Sequence, residues 1–232
     1  MARTRFLRHR PGLWLVIVAI VAAIGVTLWW KMAHWHPALD EYPAQGVWLT
    51  GGEDSVDMPD LRQAGAGFVY VTASMGAVGS NPQFADTLDA ARAAGLPVGA
   101  VHIYDPCRRA DEQSGNFVTI VPRDRAMLAP AILLDGSGEA CHPRVRPAEL
   151  ESELVTFLNQ IEMHTGERAI LAPTKRFEGR YHFGARATRK LWLMQDWLEP
   201  DYAGRPWELW TVNDAYRLPA VSGPVYWVVA RP

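Results

Sequence analysis

Between Pro11 and Trp30 the chain runs for twenty residues, PGLWLVIVAIVAAIGVTLWW, without one charge. The ten residues before it hold Arg3, Arg5, Arg8 and Arg10 and no acid. No other feature restricts the fold as much. At roughly 1.5 Å per residue a helix of this length reaches about 30 Å, the thickness of a bilayer's hydrocarbon core. A cleaved signal peptide is the competing reading, with an apolar region of about 7 to 15 residues and a small-residue cleavage site. Here the run is longer, and Lys31, Met32, Ala33, His34, Trp35 and His36 follow it. The expectation is an uncleaved transmembrane anchor at 11–30. Arginines before the span and little basic charge after it place residues 1–10 in the cytoplasm and the remainder outside, with Trp29, Trp30 and Trp35 at the far interface. The expected location is the inner (cytoplasmic) membrane, single-pass, with the C-terminal domain periplasmic or otherwise extracytoplasmic.

The rest is globular in composition: of 232 residues, 49% are hydrophobic and 21% charged. Beyond residue 40, 18 of the chain's 23 Lys and Arg and 24 of its 25 Asp and Glu remain. A domain without basic surplus has nothing to neutralise phosphates, so nucleic acid is excluded as a partner. Cys107 and Cys141 stand in loop-like surroundings and are a disulfide candidate outside the cytoplasm; two unpaired thiols are the alternative. The seven histidines show no metal-site spacing, so neither a metal nor a cofactor is expected.

Residues 31–43 read as a linker and 44–232 as one domain. GFVYVTAS, PVGAVHIY, MLAPAILL, RAILAPT, KLWLMQDW, WELWTV and PVYWVVA are short strand-like runs. NPQFADTLDAARAAG predicts a helix capped by Asn81, opened by Pro82 and ended by Gly95, with Phe84, Leu88 and Ala91 on one face. RPAELESELVTFLNQIEMHTG predicts a second, started by Pro147 and stopped by Gly166, with Leu150, Leu154, Phe157, Leu158 and Ile161 as its stripe. Early strand-helix alternation and a strand-rich end point to an α/β domain of parallel barrel type finished by extra strands, with its chemistry at the strands' C-terminal ends.

From Tyr42 onward the chain resembles glycoside hydrolase family 25, the lysozyme-like muramidases. The family's GIDVSHHQG is matched by GVWLTGGED at 46–54, YIKATEG by YVTASMG at 70–76, and DPRFAANWAAARAAGIPVGAYHFY by NPQFADTLDAARAAGLPVGAVHIY at 81–104. NFIATVPRD is matched by NFVTIVPRD at 116–124, and GRPWTFWQYSD...GPVDLNVF by GRPWELWTVND...GPVYWVVA. The resemblance implies a modified parallel β/α barrel of the family 25 type behind one transmembrane helix, acting on peptidoglycan.

Glycoside hydrolysis uses paired carboxylates, one protonating the leaving oxygen while the other stabilises or attacks the oxocarbenium-like centre. In the family they stand as D-x-E at a strand end, with further acids in GIDVS, ATEG and PVDLN. Here those positions carry Leu133 and Asp135, then Trp48, Met75 and Tyr226. Asp135 remains as a shortened acid without its partner, and Glu139 or Asp105 would have to complete a pair. The resemblance therefore implies a catalytically impaired, membrane-anchored descendant that binds peptidoglycan, another envelope glycan or an envelope protein. Trp48, His102, Tyr104, Trp192, Trp210 and Tyr226 are its candidate substrate-binding residues. An active muramidase with a rearranged carboxylate site using Asp135, and a structural interaction protein with a filled cleft, are the alternatives.

Overall fold

The computed structural model describes residues 11–232; the basic segment 1–10, expected in the cytoplasm, lies outside them. The apolar run forms one helix, α1 (Pro11–Ala33). Its most apolar part, Trp14–Ala33, has a mean hydropathy of 2.1, long and apolar enough to cross a membrane. Side chains from Trp14 to Met32 are exposed, and Ala33 is the first buried one. The expected linker is thus helical for three residues and touches the domain through residues 34–37 and Tyr42, while 38–41 are exposed. The Gln45 side-chain amide donates to the carbonyls of Pro37 and Tyr42 at 2.9 and 3.0 Å, and the His36 ring lies against Tyr216 and Trp227.

The domain alternates β1 (Gln45–Leu49), α2 (Met58–Gln63), β2 (Phe68–Met75), its short hairpin partner β3 (Gly79–Ser80), α3 (Phe84–Ala93) and β4 (Val98–Ile103). It continues with α4 (Ala110–Ile120), β5 (Ala131–Leu134), α5 (Pro147–Thr165), β6 (Ile170–Pro173), α6 (Lys175–Tyr181) and α7 (Phe183–Arg186). The strands β7 (Trp192–Met194), β8 (Leu209–Tyr216) and β9 (Val225–Ala230) finish it. Strand order is β6-β5-β4-β2-β1-β9-β8-β7. A parallel bridge between Leu171 and Leu191 brings β6 to β7 and nearly closes the ring. Neighbours are parallel except at β9, which runs antiparallel to both β1 and β8. This is a modified β/α barrel, as the resemblance implies.

Helix α5 follows its sequence signals. Pro147 opens it, Gly166 ends it at φ +80, where a Cβ would be strained, and the five stripe residues are its buried face. Each such side chain contributes roughly 1.5–3 kcal/mol by leaving water. Helix α3 starts later than expected, at Phe84. Asn81 instead ties the preceding turn to the sheet, accepting from the Gln83 N–H at 3.0 Å and donating to the Thr72 carbonyl at 2.9 Å. Helix α4 carries no apolar stripe, because its buried face mixes Ala110 and Phe117 with Gln113 and Ser114.

Two apolar layers result. The larger lies between the outside of the strands and the helices. The smaller fills the barrel and includes Trp48, Phe68, Tyr70, Val101, Trp192 and Val228.

Candidate functional site

Inward positions of successive strands bring five aromatic rings into one column inside the barrel. Phe68 meets Tyr70 at 6.1 Å between centroids, Tyr70 meets Trp192 at 4.9 Å, Trp192 meets Trp48 at 5.5 Å, and Trp48 meets Tyr226 at 4.6 Å. Inclined and edge-on contacts such as these suit the ring quadrupoles. Their polar tips are satisfied inside the wall: the Trp48 indole donates to the Thr72 hydroxyl and the Trp192 indole to the Thr211 hydroxyl, each at 2.9 Å. The Tyr70 hydroxyl donates to the Ala129 carbonyl at 3.1 Å.

The column ends at the strands' C-terminal rim with Tyr226, which is half-buried, as are Leu133 and Met194, packed against the same inner layer. Met75, at the end of β2, is exposed. Trp48 and Trp192, 4% and 1% exposed, lie below this surface and plug the barrel.

Three other expected contact residues face away from the barrel interior. His102, fully buried, points outward from β4 against Phe117 of α4 and Phe157 of α5. The side-chain nitrogen of Gln113 donates to the Asp105 and Arg108 carbonyls, which leaves its oxygen to accept from His102 Nε2 at 3.3 Å. Nδ1 of His102 then accepts from the Ser74 hydroxyl at 2.8 Å. Burial pushes the His102 imidazole down to about 4, so it is a neutral structural group. Tyr104 packs on Phe157 in the outer layer, where burial raises its phenol. Trp210 faces out of β8 against Tyr42 and Trp207 and donates to the Gln195 carbonyl at 2.7 Å. Of the six expected aromatic and histidine contacts, Tyr226 alone reaches the rim surface, because strand alternation sends His102 and Trp210 to the helix side.

Two of the three expected carboxylates, Asp135 and Glu139, sit on the rim in ion pairs. Asp135, just past β5, accepts from the Thr174 hydroxyl at 3.0 Å and from Arg176 at 3.1 Å. Glu139 pairs with Arg180 at 2.9 Å. Asp105 accepts from the Cys107 N–H at 2.8 Å. Cys107 and Cys141 are bonded, with Cα atoms 5.2 Å apart, and join the β4–α4 and β5–α5 loops.

A second acidic corner escaped the sequence reading. Asp196, two residues past β7, accepts from the Asp214 N–H of β8 at 3.0 Å. Burial raises its carboxyl, and the charge of Asp214 raises it further. Tyr226 shares this corner: burial, then Asp214 and Asp196, push its phenol up and keep it a neutral donor. The signal available in the sequence was position alone, two acids at strand C-termini of a barrel. Among the described residues no group of three His, Cys, Asp or Glu could hold a metal.

The fold has close relatives in shape. It is similar to a family 25 glycosyl hydrolase from Bacillus anthracis, at 20% identity and a TM-score of 0.76 over 86% of this chain and 94% of that one. A bacterial lysozyme from Streptomyces coelicolor matches at 17% identity and a TM-score of 0.72, over 82% and 92%. A family GH25 lysozyme from Aspergillus fumigatus matches at 18% and 0.68, over 82% and 94%. Comparison with curated proteins found no match. The sequence model of glycosyl hydrolases family 25 matches residues 50–221, most of the domain. With the barrel, its strand order and this match in agreement, the chain belongs to glycosyl hydrolases family 25.

Proposed function

We propose that this protein is a membrane-anchored, extracytoplasmic family 25 domain that binds peptidoglycan, or a related envelope glycan or protein, without cutting glycan strands. Residues 1–10 are its cytoplasmic end, α1 its anchor, and the barrel its binding domain in the periplasm or outside the cell. One observation carries the reading. Four of the five positions equated with the family's acids carry aromatic or apolar residues: buried Trp48 under half-buried Tyr226, half-buried Leu133 and exposed Met75. Asp135 and Glu139, the nearest acids in sequence, are each engaged by an arginine. A half-buried tyrosine over an aromatic floor offers a sugar ring a stacking face and a hydroxyl donor. Asp135 and Glu139, tied to arginines, supply no pair of free carboxylates for bond cleavage.

The test is to incubate the full-length protein in detergent with purified peptidoglycan and follow both co-sedimentation and soluble muropeptides. Sedimentation without release is expected. Release that vanishes in Asp135→Ala would replace this reading with that of an active muramidase.

A second reading has its own observation. Burial, and then the charge of Asp214, raise the carboxyl of Asp196 above its ordinary value, and its oxygen accepts from the Asp214 N–H at the rim. Two carboxyl groups held close together in unlike surroundings are the pairing that glycosidases use. Release lost in Asp196→Asn but kept in Asp135→Ala would favour it.

A further inference from the structure

We propose that the barrel is seated on the bilayer by the β7–β8 edge of its rim alone, with the turn at Trp197–Leu198 entering the lipid headgroup region. The inference rests on α1 being a membrane anchor and adds how the domain is held against that membrane.

The end of α1 is built into the rim. A helix leaves its last carbonyls without intrahelical partners. Here the Asn213 side chain of β8 donates to the Met32 and Trp35 carbonyls at 2.8 and 3.0 Å. The Arg217 N–H, just beyond β8, donates to the Ala33 carbonyl at 2.9 Å. Anchor and barrel therefore meet without a free hinge between them.

Contact continues back along the helix. The Arg217 guanidinium lies 6.0 Å from the centre of the Trp29 ring. Trp197 lines an open hollow of ≈ 420 Å³ with Leu28, Lys31, Met32 and Trp35. Leu28 precedes Ala33 by five residues, or about 7.5 Å of helix axis. The rim thus stands beside the turn that holds Trp29 and Trp30, both exposed. Tryptophans concentrate at the membrane–water boundary. A span that puts this turn there brings Trp197 to the same depth. Lys31 and Arg217 then lie among lipid phosphates, where long basic side chains extend their charges toward the interface.

The turn itself is shaped for this contact. Trp197 and Leu198 are 42% and 69% exposed side by side. Trp197 holds φ +59, a region that bulky residues rarely occupy. Its N–H donates to the Val212 carbonyl at 2.8 Å, and the Asp214 N–H fixes neighbouring Asp196. Two apolar side chains are held out of the core on a rigid support, and Trp197 faces the anchor.

The test uses the full chain, disulfide intact, in nanodiscs of phosphatidylcholine and phosphatidylglycerol. An environment-sensitive fluorophore is attached at Leu198→Cys, at Ile24→Cys within α1, and at Met163→Cys near the end of α5, the opposite end of the barrel. Headgroup nitroxide lipids are expected to quench the label at 198, acyl-chain nitroxides the label at 24, and neither the label at 163. Emission at 198 should be blue-shifted from that at 163. If 24 is quenched and 198 behaves like 163, the anchor stands and the seating is wrong. If 24 also stays in water, the anchor reading falls and this inference with it. Unlabelled protein supplies an independent check: quenching of tryptophan emission by brominated lipids should fall in Trp197→Phe, and an unchanged quench overturns the proposal.

Discussion

Tyr226 lies over the indole of Trp48, its register partner across β1 and β9, with ring centroids 4.6 Å apart and planes inclined by 44°. Trp48 is buried and Tyr226 half-exposed, so one ring supports while the other meets solvent. The two rings have different consequences when removed.

Trp48→Ala is expected to lower stability by about 3–5 kcal/mol, since it opens a cavity inside the barrel and leaves the Thr72 hydroxyl without its indole partner. Trp48→Asp should be worse, because it buries a charge with no cation beside it. Urea denaturation followed by near-ultraviolet circular dichroism measures both. A loss below about 1 kcal/mol in Trp48→Ala would show that the column is not packed as described.

Tyr226→Ala, by contrast, should weaken co-sedimentation with peptidoglycan by about two- to tenfold, the range of a single aromatic contact worth ~0.5–1.5 kcal/mol. Trp210→Phe, on the helix side of β8, should leave sedimentation unchanged. Equal losses in the two variants would remove Tyr226 from the binding surface.

The pH dependence of stability should carry a signature of His102. Its folded value, about 4, lies below the usual histidine value of 6.5, because burial disfavours the imidazolium. Above pH 6.5 both folded and unfolded chains hold it neutral and nothing is lost. Between pH 6.5 and 4 the unfolded chain takes up a proton that the folded one refuses, so stability falls with pH, by on the order of 3 kcal/mol in total. Denaturation curves from pH 7.5 to 4 should show a shallower decline in His102→Gln than in the wild type. Parallel declines would contradict the assignment.

Cys107–Cys141 spans a sequence separation of 34. Constraint of the unfolded chain by a loop of this size is worth about 3–4 kcal/mol. The Cys107→Ser, Cys141→Ser double variant should melt at a lower temperature than the oxidised protein, and reductant should shift the wild type toward it. An unchanged melting temperature would mean that the bond does not contribute.

Arg176→Ala should change stability by less than about 1 kcal/mol, since the pair with Asp135 is exposed, with side chains 75% and 48% accessible. A much larger loss in thermal denaturation would give Asp135 a structural weight that its exposure does not suggest.

Much of the architecture was legible where local chemistry is strong. The stop and start of α5 at Pro147 and Gly166, and its five-residue stripe, hold in the structure because a helix against a sheet needs one apolar face. Helix α4 was not legible, since Gln113 is buried by donating to backbone carbonyls and its polarity hides an inward face. The late start of α3 has a similar cause: the Asn81 side chain bonds to the sheet as well as to its own turn.

By itself the sequence determined the charge-free helix at the N-terminus, the alternation of strands and helices, and the family to which the motifs belong. Only the tertiary structure decided which side of each strand faces the barrel interior. The strands are buried on both faces, inside by the aromatic column and outside by helices, so apolar residues occur at every position and a period of two carries no contrast. That is why His102 and Trp210 read as cleft residues yet belong to the helix layer, and why Asp196 and Asp214 meet although 18 residues separate them. Neighbouring strand ends in a closing barrel bring such residues together, and no local pattern records the pairing.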